Sequence, residues 1–201
     1  MLVFWQEKLV LLALPKTGTS ALEAALRGHA AAVFESPPEL KHVPLFRYNR
    51  FLKPLFGVID GDRKLETMAL VREPVDWLGS WYRYRSRSEL AGHPNGTSEM
   101  SFDAFVAGYL EDPRPGFANV GSPTKFLSNG QGKRAVTHLF QYEQLPLAVD
   151  FLSGRLGVEI TLARHNVSPA RDMPLSLALR RRLEVECAEE FHLWESACRT
   201  R

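Results

Sequence analysis

The sequence predicts an α/β fold: a mainly parallel central sheet flanked by helices. Three observations carry that expectation. Residues 9–14 are a continuous apolar run, and 66–71, Glu-Thr-Met-Ala-Leu-Val, end in one, which suits strands covered on both faces. Each run leads at once into a short loop and then a helical pattern. Such strand–helix units alternate along the chain, which favours parallel pairing over separate helical and sheet regions.

The 201 residues, 45% hydrophobic and 24% charged, fit one domain, residues 1–201, with a real core. The net charge of +2 is too small to argue for nucleic-acid binding, so any anion preference must come from local clusters. The run at 9–14 is far shorter than the roughly 20 residues a membrane span needs. It has no basic start and no small-residue cleavage site, so a cytoplasmic protein without a membrane span is expected. Cys187 and Cys198 would lie about 16 Å apart along one expected helix, too far to bridge, and they lack zinc spacing.

The elements follow in order. After the strand at 9–14, residues 15–19 form a turn, and 21–29 read as a helix in which Leu22 and Leu26 share a face. Ser20 and Glu23 fit a capping box there. Residues 31–34 suit a second short strand. Residues 43–62, with Pro44, Pro54 and Gly57, read as irregular. The strand at 66–71 ends at Arg72, and Pro74 opens a helix running to about residue 87. A helix is expected at 102–109, capped by Ser101, then an exposed connection at 112–124 and a strand at 135–141. A helix at 145–156 stops at Gly157. One last helix is expected at 175–198, with Leu179, Leu183, Cys187, Phe191, Trp194 and Cys198 as its apolar stripe.

Two segments carry chemistry. Between the first strand and its helix lies Pro15-Lys16-Thr17-Gly18-Thr19-Ser20. The unpaired N–H groups of a helix start, with the helix dipole, favour an anion there. Gly18 allows close approach, three hydroxyls donate, and Lys16 adds positive charge. The order differs from the GxxxxGK[ST] nucleotide loop, because Lys16 precedes the glycine. The second segment starts at Arg72, at a strand end, with Ser80 eight residues on. Strand ends of parallel sheets are where ligands bind, and a guanidinium there can fork two hydrogen bonds to a phosphate.

Together the two segments resemble the signatures of the sulfotransferase superfamily, on the side of bacterial members close to the carbohydrate-type enzymes. Gln141-Tyr142-Glu143-Gln144-Leu145 and His165-Asn166-Val167-Ser168 are similar to further family elements, so the likeness runs from about residue 9 to 168. The resemblance implies a three-layer, P-loop-like fold. It implies binding of 3′-phosphoadenosine 5′-phosphosulfate (PAPS), with Lys16, Thr17, Gly18, Thr19 and Ser20 on the 5′ end and Arg72 and Ser80 on the 3′-phosphate. The implied reaction is in-line transfer of a sulfuryl group to an acceptor hydroxyl or amine, carbohydrate favoured, without a metal. Lys16 would stabilise charge on the leaving oxygen. His42 is the candidate base, with Glu35 its rival; Lys41 could assist. An aromatic and basic patch at Tyr82, Arg83, Tyr84, Arg85 and Arg87, and Lys125 and Arg134, are further candidates for contact with nucleotide or acceptor. A nucleotide or small-molecule kinase with a variant loop is a competing reading, weakened by the absence of an evident magnesium-binding aspartate. A non-catalytic nucleotide-binding protein is another.

Overall fold

A computed structural model describes residues 1–61, 64–131, 135–162 and 171–197. Five strands form one sheet in the order β3-β1-β2-β4-β5. They are β1 (Leu2–Phe4), β2 (Leu9–Leu11), β3 (Ala32–Val33), β4 (Glu66–Val71) and β5 (His138–Gln141). β2, β4 and β5 run parallel, as expected of strands joined through helices. β1 pairs antiparallel with both β2 and β3, so the sheet is mixed. β1 was not anticipated. Three apolar residues ahead of the polar turn 5–8 form one arm of a hairpin, in which Lys8 takes a left-handed conformation, φ 55°.

Side chains alternate across the sheet and meet different helices on its two faces. On one face, Leu9, Leu11, Met68, Leu70 and Phe140 pack against Leu22 and Leu26 of α1 (Thr19–Leu26) and Ala148 and Leu152 of α8 (Leu145–Leu156). On the other, Val10, Leu12, Ala69 and Val71 pack against residues 43–56 and the end of the chain at Leu193 and Ala197. Three layers result. Gly157 ends α8 in the left-handed region, φ 66°, where glycine has no Cβ penalty.

Residues 43–62, expected to be irregular, are largely helical. After α2 (Pro38–Lys41) come α3 (Leu45–Arg47), a π turn at Tyr48–Leu52 and α4 (Lys53–Ile59). The prolines misled because each sits where its missing N–H costs little. Pro44 precedes the first turn of α3. Pro54 lies in the first turn of α4, just after the wide turn in which Lys53 N–H bonds to Tyr48 O.

A third cluster joins α5 (Pro74–Arg85), α6 (Phe102–Tyr109) and α9 (Leu177–Glu186) through Trp77, Tyr82, Phe105 and Leu183. Ser101 caps α6 by accepting from Ala104 N–H at 3.1 Å. The connection at 112–124 carries a single 3₁₀ turn, Gly116–Ala118, and then α7 (Pro123–Phe126). The last helix is broken at Cys187, and α10 (Ala188–Glu195) follows. Beyond the break the buried face moves to Glu190, Leu193 and Ala197. The buried Glu190 carboxylate accepts from Thr124 N–H at 3.1 Å and from the hydroxyls of Ser122 and Thr124, pinning α10 to α7. Burial raises its pKa above the usual carboxylate value.

Candidate active site

The loop at 15–20 sits where β2 hands over to α1. Lys16 and Gly18 both take left-handed conformations, φ 68° and 72°. At Gly18 the restriction is also steric: a Cβ would lie 2.7 Å from Tyr142 Cε2. Thr17 is fully buried, and its hydroxyl donates to Leu14 O at 2.8 Å, so it braces the loop from within. Thr19 is buried too, whereas Ser20 is exposed. The capping box is not formed. Gly18 is the N-cap, no side chain caps α1, and Glu23 binds Lys41 Nζ at 2.6 Å instead. The first-turn N–H groups of α1 thus keep no side-chain acceptor, which suits an anion site.

Arg72 reaches this loop. Its Nη1 donates to Lys16 O at 3.4 Å, its Nε to Asp76 Oδ2 at 2.6 Å, and its guanidinium lies 4.5 Å from the Tyr142 ring centre. Trp77 Nε1 donates to Pro15 O at 3.0 Å, fastening α5 to the loop. Ser80 is buried on α5 at 6% exposure, and among the described residues no hydrogen bond joins it to Lys16 or Arg72. The structure therefore brings Lys16, Gly18 and Arg72 into one cluster, and Ser80 lies buried on α5, eight residues beyond Arg72.

The patch after Ser80 divides by helix face. Tyr82 and Arg85 are structural: Tyr82 OH donates to Met100 O at 2.7 Å, and Arg85 Nη1 to Gly116 O at 2.6 Å. Tyr84 turns to the loop, its ring centre 4.3 Å from Lys16 Nζ, and Arg87 lies 4.7 Å from the same ring. Burial, and then the positive charges of Arg87, Arg72 and Arg83, pull Lys16 down from 10.5 to about 8. Among the described residues no carboxylate lies within ion-pair distance of Lys16; the nearby Asp76 is taken by Arg72 and, at 3.9 Å, Arg83. Among the described residues Lys16 and Arg87 have no carboxylate partner, which leaves positive charge open in the site.

On the other flank, Lys41 Nζ lies 3.4 Å from Ser20 Oγ. His42 Nδ1 donates to Ala13 O at 2.7 Å, which leaves Nε2 as a lone-pair acceptor. Burial, more than any neighbouring charge, lowers its pKa below 6.5, so the ring is neutral at pH 7. Glu35, the rival base, is exposed and ion-paired with Arg27 at 3.0 Å. A cleft of about 270 Å³ opens beside Ser20, lined also by Glu23, Arg27, Glu35 and Lys41.

Glu143 ties the second segment in place. One carboxylate oxygen accepts from Glu73 N–H at 2.8 Å and the other from Trp194 Nε1 at 3.0 Å. Lys125 lies on α7. Arg134, Cys198 and the segment 165–168 lie outside the described residues. Among the described residues, no group of three or more His, Cys, Asp and Glu side chains is placed to hold a metal ion, and no helix is long and apolar enough to cross a membrane.

No family model matches the chain, and no curated protein matches it. The chain is similar to a sulfotransferase from Alicyclobacillus acidocaldarius known from a crystal structure, with 17% identity, 94% of each chain covered and a TM-score of 0.49. A likeness that loose carries no chemistry from one chain to the other.

Proposed function

We propose that this protein, residues 1–201 acting as one domain, moves a sulfuryl group from PAPS to a hydroxyl or amine of an acceptor, with a carbohydrate the favoured class. The observation that carries the reading is the unneutralised cluster: Lys16 among Arg72, Arg83 and Arg87, at the uncapped start of α1. That donor set fits a nucleotide bearing phosphates at two positions, because Lys16 and Arg72 stand at the ends of neighbouring parallel strands.

The donor supplies an activated sulfuryl group on a phosphate that can leave. The chain's own groups do the rest. The N–H groups at 17–20, with the Thr19 and Ser20 hydroxyls, hold the 5′ end, and Arg72 and Ser80 hold the 3′-phosphate. Lys16 offers positive charge where the leaving oxygen develops its own. His42, held in one tautomer by Ala13 O, accepts the acceptor's proton at Nε2. Lys41, held by Glu23, positions the Ser20 hydroxyl on the acceptor flank.

Calorimetric titration with adenosine 3′,5′-bisphosphate, beside ATP and ADP, with and without magnesium, tests the reading. Metal-independent binding of the bisphosphate, weakened by Lys16→Ala and Arg72→Ala, is expected. Magnesium-dependent ATP binding without bisphosphate binding would overturn it in favour of a kinase.

A further inference from the structure

The helical stretch 45–59 shows an apolar face that nothing in the described fold covers. Tyr48, Leu52 and Phe56, four residues apart, turn inward. Phe51, Leu55, Val58 and Ile59, at spacings of four, three and one, stay outside with 60%, 53%, 86% and 66% exposure. Exposed apolar side chains are ordinary when single; a stripe of four on one helix marks a contact surface. The charge around it is one-sided. Arg47, Arg50 and Lys53 are exposed, and no acidic residue lies between Glu39 and Asp60. Arg50 sits 5.3 Å from the Phe51 ring centre, so cation and apolar face adjoin.

We propose that residues 45–59 form an interfacial element that seats the protein on an anionic lipid surface, with Phe51, Leu55, Val58 and Ile59 entering the headgroup boundary and Arg47, Arg50 and Lys53 meeting phosphates. An in-plane helix with an apolar face and a purely basic polar side is the pattern such surfaces bind. A second copy of the chain is a poorer occupant, because a twofold contact would set the three cations of one copy near the same three of the other. The stretch leads directly from His42, whose ring is fastened to the loop at Ala13. The proposal stands whether or not the site transfers sulfuryl groups.

Flotation of the full chain with vesicles of phosphatidylcholine, and of phosphatidylcholine with roughly a third phosphatidylglycerol, is the test. The protein is expected to float with the anionic vesicles, weakly with the neutral ones, and less as salt rises. Phe51→Ser with Val58→Ser should lower anionic binding about tenfold or more, and so should Arg50→Glu with Lys53→Glu. All four positions are exposed, so circular dichroism should show an unchanged fold. Binding that is absent, or equal for parent and both variants, overturns the proposal. So does a dimer in sedimentation velocity that Phe51→Ser with Val58→Ser dissolves while vesicles stay unbound.

Discussion

Lys16 and Lys41 flank the same loop and are held in opposite ways. Lys41 is locked to the Glu23 carboxylate at 2.6 Å, its charge answered within the fold. Lys16 rests on the Tyr84 ring, meets three arginines and no carboxylate, and is driven to about 8. The fold answers one charge and leaves the other open. An open cation at an uncapped helix start is what a site keeps for a ligand. A paired cation is what a fold keeps for position.

The largest effect should come from removing the open charge. Lys16→Ala is expected to lower kcat/KM roughly 10³-fold and weaken adenosine 3′,5′-bisphosphate binding at least about tenfold. Unchanged affinity by calorimetry would mean that Lys16 is not the ligand's cation and that the contrast with Lys41 has no functional content.

Next comes the base. His42→Ala should lower kcat about 10²- to 10⁴-fold while bisphosphate affinity holds within about threefold. Glu35→Gln should leave kcat nearly unchanged, because its carboxylate is exposed and paired with Arg27. A loss confined to Glu35→Gln would reverse the assignment. The pH profile sharpens it. His42's pKa is pulled below 6.5 by burial, so the base is lost only as pH falls through a value below 6.5. An acid limb centred above pH 7 would remove His42 from the role.

What the sequence revealed follows from what is local. The loop at 15–20, the Arg72 strand end, the Ser101 cap and the Gly157 stop depend on residue types within a few positions, and each stands where it was expected. The contact of Tyr84 with Arg87 was legible in principle, since positions three apart fall on one side of the helix expected to run to about residue 87. Tyr142 against Gly18 was not, because it depends on the register of β5 beside β4. Nor was the left-handed Lys16, for which no residue-type signal exists. The helices at 45–59 were hidden by prolines whose placement only the fold reveals, and the burial of Glu190 was out of reach because it depends on the break at Cys187, which turns that residue inward.

A smaller effect is expected from breaking the answered charge. Glu23→Gln leaves Lys41 without its partner in surroundings where the two side chains are only 18% and 11% exposed. The expected loss is about 1–3 kcal/mol in denaturant unfolding. Bisphosphate affinity should stay within about threefold. A tenfold change in affinity without loss of stability would show that the pair, too, is held for a ligand.

The smallest effect carries the opposite sign. A cation crowded by arginines and partly desolvated costs the folded state energy, so Lys16→Met should stabilise the protein at pH 7, by about 1 kcal/mol once solvent screening is allowed for. Lys16's folded value of about 8 lies below the ordinary 10.5. Between those values the unfolded chain binds a proton that the folded chain releases, so the parent's stability rises with pH through that window. Below pH 8 the folded parent carries the whole penalty. The gain from Lys16→Met should therefore be full below pH 8, shrink from there to 10.5, and vanish above. Thermal unfolding of parent and variant across that range reads it directly. If Lys16→Met destabilises at pH 7 instead, the contact with the Tyr84 ring outweighs the arginines, and Lys16 is an anchor like Lys41, not a charge left open for a ligand.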